Sequence, residues 1–268
     1  MGELSQLLAT VDTSVPHAAR FWDYLLGGKN NFQVDREAGR RVLEVFPQLR
    51  DSAGADRRFL RRAVTHLVRD RGIRQLLDVG AGLPTVDNTH EVAQRLVPDC
   101  RVVYVDNDPM VLAHARAVLT STPQGLVDYV RADVRDAAGI LREAARTLEP
   151  ARPVALMMLG VINYVLDDAE AHTSVAALVD ALAPGSFLVI SHPTAELHAD
   201  AITASIRLYN ETGAAPLRSR SRAELSRFLD GLELLDPGVV SCSRWRPDVD
   251  ESADSAEVTQ YCAVARKP

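Results

Sequence analysis

Residues 76–85 read Leu76-Leu77-Asp78-Val79-Gly80-Ala81-Gly82-Leu83-Pro84-Thr85. An apolar strand runs directly into glycines. Gly80 permits a tight turn, and Gly82 lets the backbone approach a ligand with no Cβ in the way. In open α/β sheets, ligands bind beyond the carboxyl ends of the strands, near the first βα turn. A dinucleotide site reads G-x-G-x-x-G. Here Thr85 replaces the third glycine and Asp78 precedes Gly80, so a pyrophosphate would face a like charge. S-adenosylmethionine (SAM) carries a sulfonium and an α-ammonium, and a carboxylate favours both. A βα turn with no ligand remains the other reading of this segment.

Moving outward, VVYVDNDP (102–109) ends the next strand on Asp106, followed by Asn107. A carboxylate here can accept from both ribose hydroxyls of an adenosine-containing ligand. Asp108 before Pro109 also reads as a helix cap with proline at the first helical position. A third strand ends at VRADVRD (130–136). Asp133 there suits the adenine amino group and Val134 the ring through its backbone N–H; capping of the following helix is the alternative role for Asp133. Three acids at successive strand ends are more specific than any one of them.

The rest of the chain supplies the frame. Short apolar runs at 75–79, 101–105, 129–132, 153–159 and 186–191 alternate with helical stretches at 88–97, 109–119, 136–147 and 168–182. That order predicts an α/β, doubly wound, mainly parallel sheet with right-handed crossovers. Another helix after residue 200 and a short one at 223–229 follow. Residues 239–245 and 258–265 then read as a closing antiparallel pair, joined by an exposed acidic loop at 246–257. Residues 1–74 read as a helical extension ahead of a 75–268 Rossmann-like domain. Its first helix starts near Pro16 with Thr13 or Ser14 as cap, and carries Phe21, Tyr24 and Leu25 until Gly27 and Gly28 stop it. A second spans 35–46, and a third carries the apolar stripe Phe59, Leu60, Ala63, Val64, Leu67 and Val68.

The chain has 268 residues, 47% hydrophobic and 25% charged, with net charge −6. This is globular composition with no global attraction for nucleic acid, although Arg57, Arg58, Arg61 and Arg62 could make a local basic patch. Cys100, Cys242 and Cys262 are widely spaced and odd in number. They predict neither a disulfide framework nor a zinc site, and no metal is expected. Reduced thiols, no signal-peptide pattern in MGELSQLLATVD and no membrane-length apolar run together predict a cytoplasmic protein.

With these motifs in place, the sequence resembles the class I SAM-dependent methyltransferases. Asp78, Gly80 and Gly82 match their glycine motif, Asp106 their ribose acid and Asp133 their adenine acid. A narrower resemblance rests on SVPHAARFWDYLLGGKNNFQVD (14–35), FLRRAV (59–64), DVGAGLPTVDNTH (78–90) and VVYVDNDP. These are similar to an actinobacterial family of S-adenosyl methyltransferases, formerly a domain of unknown function, over nearly the whole chain. The resemblance implies a Rossmann-like, seven-stranded sheet with an antiparallel C-terminal strand, and SAM as cofactor. It does not imply a particular reaction. One departure stands out: Asp56 occupies the position before R-x-F-L-R-R where the family carries Asn, which would change the charge of any pocket it lines.

Methyl transfer from SAM is an in-line displacement that rests on positioning and water exclusion, with a base needed only if the acceptor must lose a proton. In ALMMLGVINYV, Leu159 and Gly160 are expected beside the methionine part of SAM, with Ala81 on the facing loop. Asn163 and Tyr164 would reach the acceptor side. Tyr164 could orient or deprotonate a hydroxyl, or simply pack under a lid. His192, in VISHPTAE, is a candidate base or a hydrogen-bonded turn residue. In the N-terminal motif, Tyr24 and Phe32 would exclude water while Asn30 and Asn31 hold the methionine carboxylate or the acceptor. Gly27-Gly28-Lys29 lacks Walker spacing. Arg57 and Arg61, one helical turn apart, could clamp a carboxylate or pair with surface acids. His17 and His90 read as structural, with His90 placed where its helix meets the ligand edge.

Three functions follow from these residues. The first is a methyltransferase acting on a small-molecule acceptor; the absence of an N-P-P-[YFW] tetrad weighs against DNA. The second is a non-catalytic regulatory protein that binds SAM or an amino-acid-like ligand. The third is a nicotinamide-dependent oxidoreductase, opposed by Asp78 and the missing third glycine. A homodimer is kept open as an assembly.

Overall fold

Gln75–Val79 is buried along its whole length, as a strand covered by helices on both faces should be. In the computed structural model, which describes residues 11–118, 120–248 and 256–268, this segment forms β1. It is followed by β2 (Arg101–Asp106), β3 (Leu126–Arg131), β4 (Ala155–Leu159) and β5 (Phe187–Pro193), all parallel. Two-residue strands β6 (Glu233–Leu234) and β7 (Val240–Ser241) and the longer β8 (Gln260–Arg266) complete an eight-stranded sheet. Its order is β3-β2-β1-β4-β5-β8-β6, with β7 also paired to β8, which runs antiparallel to β5. The order reverses between β1 and β4, so the crevice for a ligand lies at their carboxyl ends.

Alternation along the strands builds two cores. Leu76, Val102, Met157 and Val189 face one side, where they meet Phe59, Ala63, Val64 and Leu67 of α3 (Leu49–Asp70) and Val92 of α4 (Thr89–Leu96). Leu77, Val103, Leu156 and Leu188 face the other, against Ile140 of α6 (Ala137–Ala144) and Leu178 of α7 (Asp168–Asp180). Between β2 and β3 runs α5 (Pro109–Val118). The third helix of the sequence reading thus covers the sheet.

A separate apolar cluster joins α1 (Ala18–Leu25), α2 (Gln33–Val45) and α8 (Ala199–Asn210). It contains Phe21, Leu25, Val42 and Tyr209, with Phe21 edge-on to Tyr209 at 4.8 Å. The roof over the strand ends is therefore built from both sides of the sequence, α8 closing on α1 and α2. The cap of α1 is His17, not Thr13 or Ser14.

Three local expectations need correction. The strand expected at 239–245 stops after Ser241 and turns into a 3-10 helix, Cys242–Arg244. The buried Arg62 guanidinium donates to the carbonyls of Cys242 and Trp245 at 2.7 and 2.9 Å, replacing ladder bonds. Trp245 instead packs edge-on against Phe59. β3 starts earlier than expected because polar Asp128 interrupts its apolar pattern; its carboxylate accepts from Thr147 Oγ1 at 2.9 Å. Most of the expected loop at 246–257 lies outside the described residues. The candidate basic patch also dissolves: Arg62 is buried, Arg61 pairs with Asp248 and Arg57 caps backbone carbonyls.

Candidate cofactor and acceptor site

A cavity of about 610 Å³ opens at the switch point, within the range of small-molecule sites. The glycine loop forms its floor. Gly80 (φ +78°) adopts the left-handed conformation, and a Cβ there would stand 2.5 Å from Val161 Cβ. Gly82 (φ +67°) also does, but a Cβ on it would meet nothing within 4 Å. One glycine allows close packing and the other leaves open space above the loop. Ala81, Asn107, Val134, Leu159 and Gly160 line the same cavity.

Two buried carboxylates sit on that floor. Asp106 Oδ2 accepts from Gly82 N and Oδ1 from Asp108 N, both at 2.9 Å. Each oxygen keeps a lone pair for a ribose hydroxyl. Burial pushes the Asp106 carboxyl above the usual range. Asp78 Oδ2 accepts from Thr89 Oγ1 at 2.5 Å, and burial pushes its pKa up to about 6, with the Thr89 bond opposing. Neither forms an ion pair with a cationic side chain among those described. Two buried acids beside a backbone with open space fit a ligand that carries adenosine and positive charge.

Asp133 lines the cavity too, more exposed. It does not cap the next helix: Asp136 does, accepting from Gly139 N. Asp133 instead accepts from Arg135 N and its guanidinium at 2.9 and 3.0 Å. Asp108 does cap α5, accepting from Met110 N at 2.8 Å.

Two further residues belong to the site: Asp56, singled out in the sequence only as a departure from the family pattern, and His17, read there as structural. Asp56, on α3, is buried, lines the cavity and contacts Cys242 Sγ at 3.6 Å. Burial raises its pKa, opposed by hydrogen bonds to Ser191 and Gln260. Its departure from the family pattern was the available signal. His17 lines the cavity with Nδ1 2.9 Å from Asp108 Oδ2, tying the α1 entrance to the ribose side. Burial alone would raise the Asp108 carboxyl, but His17 and the Met110 N–H bring it below the usual range.

Of the expected acceptor and lid residues, Arg57, Asn163 and Tyr164 line the cavity. Arg57 holds the carbonyls of Val86 and Asp87 beyond the glycine loop, each at 3.1 Å. Burial pushes the Tyr164 phenol up to about 12, with the nearby polar side chains of Tyr209 and Asn163 opposing the rise. It is protonated at neutral pH, so it can orient an acceptor but not deprotonate one.

Other residues are elsewhere. Arg61 pairs with Asp248 at 2.5 Å and does not line the cavity. Tyr24 packs on Gly39 and under Arg50, while Phe21, Trp22 and Leu25 of the same helix face the cavity. Asn30 N and Asn31 Nδ2 donate to Asp23 Oδ2 at 3.0 and 2.7 Å, and Phe32 lies under Arg20. These three line a separate depression, so they fasten the loop instead of holding a ligand in the cavity.

His192 is corrected as a base. It is fully buried, off the cavity, with Nδ1 2.9 Å from Pro193 O and Nε2 2.9 Å from Arg220 Nη1. Burial drives its pKa down to about 3. Nδ1 donates to the Pro193 carbonyl and Nε2 accepts from Arg220, whose guanidinium also donates to Ile162 O and Val165 O. That arginine fixes the 3-10 turn Ile162–Tyr164 after β4. His90 is likewise buried, bonded to the Tyr104 hydroxyl and off the cavity.

Above Gly160 the lining turns apolar, and three polar atoms there lack partners: Asn163 Oδ1, Ser205 Oγ and Tyr209 Oη. The Tyr209 hydroxyl lies near the Tyr164 phenol, yet no hydrogen bond of regular geometry reaches it. Each such atom costs about 1–3 kcal/mol when buried unpaired.

A glycine loop after β1, an acid ending β2 and a helical roof over the switch point define a Rossmann-like SAM methyltransferase. The chain belongs to the S-adenosyl methyltransferase family, whose model matches residues 5–268, and its cofactor is SAM. It is similar to a DUF574-family protein of Streptomyces avermitilis, with 42% identity over 96% of this chain and 99% of that one and a TM-score of 0.92. It is also similar to a candidate methyltransferase of Thermobifida fusca, with 41% identity over 96% of each chain and a TM-score of 0.87. The magnesium protoporphyrin IX methyltransferase of Synechocystis, solved with S-adenosylhomocysteine bound, shares the fold: 15% identity over 92% of this chain and 93% of that one, TM-score 0.55. No curated protein matches the chain. Among the described residues, no helix is long and apolar enough to cross a membrane.

Proposed function

We propose that the chain transfers the methyl group of SAM to a small-molecule acceptor inside a roofed cavity. The observation that carries this is one continuous cavity, running from the glycine loop to an apolar chamber under α1, α2 and α8. When bound, SAM supplies an electrophilic methyl carbon on a sulfonium. Asp106 and Asp133 hold the ribose and adenine; Asp78 and Asp56 oppose the positive charge of the methionine end. Asn163 and Tyr164 orient the acceptor, and the helical roof excludes water. Cys100, Cys242 and Cys262 are free and buried, which supports a reducing, cytoplasmic setting.

The test is incubation with methyl-labelled SAM and fractionated actinobacterial extract. Label should appear in the low-molecular-mass fraction. Label in protein or RNA would overturn the acceptor class. SAM binding with no transfer to any fraction would favour the non-catalytic binding protein.

A further inference from the structure

The chamber above Gly160 has a composition that selects its ligand. Phe21 and Trp22 of α1, Val42 of α2, Ile202 and Ile206 of α8 and Leu217 form its apolar wall. Its buried acid is Asp23, whose carboxylate accepts only from the Asn30 N–H and the Asn31 amide among its hydrogen bonds. The two arginines that line the cavity are committed elsewhere. Arg57 holds the carbonyls beyond the glycine loop, and Arg135 pairs with Asp133 and Glu170. The one cavity-lining histidine among the described residues, His17, stands beside Asp108 on the ribose side.

These facts remove most nucleophiles by their charge. A carboxylate, phosphate or thiolate acceptor would enter an apolar chamber with no cation to meet it. A phenol would have to become an anion beside the Asp23 carboxylate, and an alkylammonium would have to give up a proton that the same carboxylate favours keeping. What remains is a nucleophile that arrives neutral and leaves positive. Its lone pair forms the new N–C bond as the C–S bond breaks, and the electron pair of that bond stays on sulfur. The sulfonium charge passes to nitrogen, where an acidic, cation-free wall stabilises it; a ring nitrogen keeps it, and an arylamine releases a proton to water.

We propose that the chamber is the acceptor site and that the acceptor is a largely apolar molecule attacking through a weakly basic nitrogen, an arylamine or a heteroaromatic ring nitrogen. This rests on the methyltransferase reading above. The second observation pointing to a ligand is the set of unpartnered polar atoms on buried lining residues, Asn163 Oδ1, Ser205 Oγ and Tyr209 Oη. The unpartnered Asn163 Oδ1 can accept the N–H of an arylamine, or the second N–H of an azole ring, and leave the attacking lone pair free.

Matched ligands test it: 4-alkylanilines, 4-alkylphenols and 4-alkylbenzoates of equal chain length. Binding to the SAM-saturated protein is read by Trp22 fluorescence, since Trp245, the other tryptophan, is sealed in the core. Release of S-adenosylhomocysteine is read in parallel. The anilines should bind roughly tenfold or more tighter than the matched phenols and benzoates, and they alone should support turnover. Ile206→Phe narrows the chamber without adding a tryptophan and should weaken aniline binding roughly tenfold or more while calorimetric SAM affinity stays the same. Preference for the phenol or benzoate, equal binding across the series, or no aniline binding by a SAM-saturated protein overturns the proposal. Failure to bind SAM at all would instead sink the methyltransferase reading beneath it.

Discussion

Two alanine substitutions two residues apart should fail in opposite ways. At Gly80 the backbone is left-handed (φ +78°) and a new Cβ would stand 2.5 Å from both Val161 Cβ and Cγ2. The conformational cost is about 1–2 kcal/mol, and overpacking a branched side chain adds about 1–3 kcal/mol. Gly80→Ala should therefore lower unfolding free energy by about 2–5 kcal/mol, a large share of the ~5–15 kcal/mol of a typical domain. At Gly82 (φ +67°) the same Cβ meets nothing within 4 Å, so only the conformational cost applies, about 1–2 kcal/mol. The open space it fills is where the cofactor must approach. Gly82→Ala should thus keep most of its stability and lose SAM affinity by roughly tenfold or more. Urea unfolding of the ligand-free proteins gives the first quantity and calorimetric titration the second. If Gly82→Ala binds SAM like the wild type, or Gly80→Ala melts no earlier, the division of labour between the two glycines is wrong.

Asp78 should make both stability and binding depend on pH. Its pKa rises from 3.8 unfolded to about 6 in the ligand-free fold, so the fold prefers the protonated acid. Its contribution is full below 3.8 and is lost as pH rises through 6; Asp78→Asn should flatten that decline in urea melts. SAM affinity should run the other way, strengthening as pH rises through 6 and Asp78 ionises, and Asp78→Asn should remove that rise in calorimetry. Arg220→Ala leaves Ile162 O, Val165 O and His192 without their donor. It should cost about 1–3 kcal/mol for each acceptor left buried and unpaired, visible as an early thermal transition. No ionisation of His192 should appear in a pH–rate profile near neutrality, since its pKa lies at about 3.

What the sequence disclosed and what it hid follow from how each part is built. The floor was legible because Asp78, Gly80, Gly82, Asp106 and Gly160 each sit at the end of a short apolar strand. Local pattern fixes both the strand and the residue that leaves it. The chamber was not, because Phe21, Val42, Ile202 and Leu217 meet only when α1, α2 and α8 pack together. The same limit explains the misplaced lid residues. Phe21, Trp22 and Leu25 share the cavity-facing stripe of α1, while Tyr24 turns to Gly39, whose missing side chain makes room for the ring. His192 was misread because β5 continues two residues past Ser191, carrying the ring into a buried pairing with Arg220, a residue no local pattern connects to it. Arg57 and Arg61 share a helix face, but the cavity takes Asp56, Arg57 and Leu60 from it while Arg61 turns to Asp248.

The central claim is that Asp106 and the glycine loop hold SAM. Calorimetric titration of the purified protein with SAM and S-adenosylhomocysteine, with NAD and NADP as controls, tests it directly. The account predicts saturable binding of both sulfur ligands, none of the dinucleotides, and loss of roughly a hundredfold or more in Asp106→Ala, which forfeits two charged hydrogen bonds of about 1.5–3 kcal/mol each. No binding of either sulfur ligand, or undiminished binding by Asp106→Ala, would contradict it.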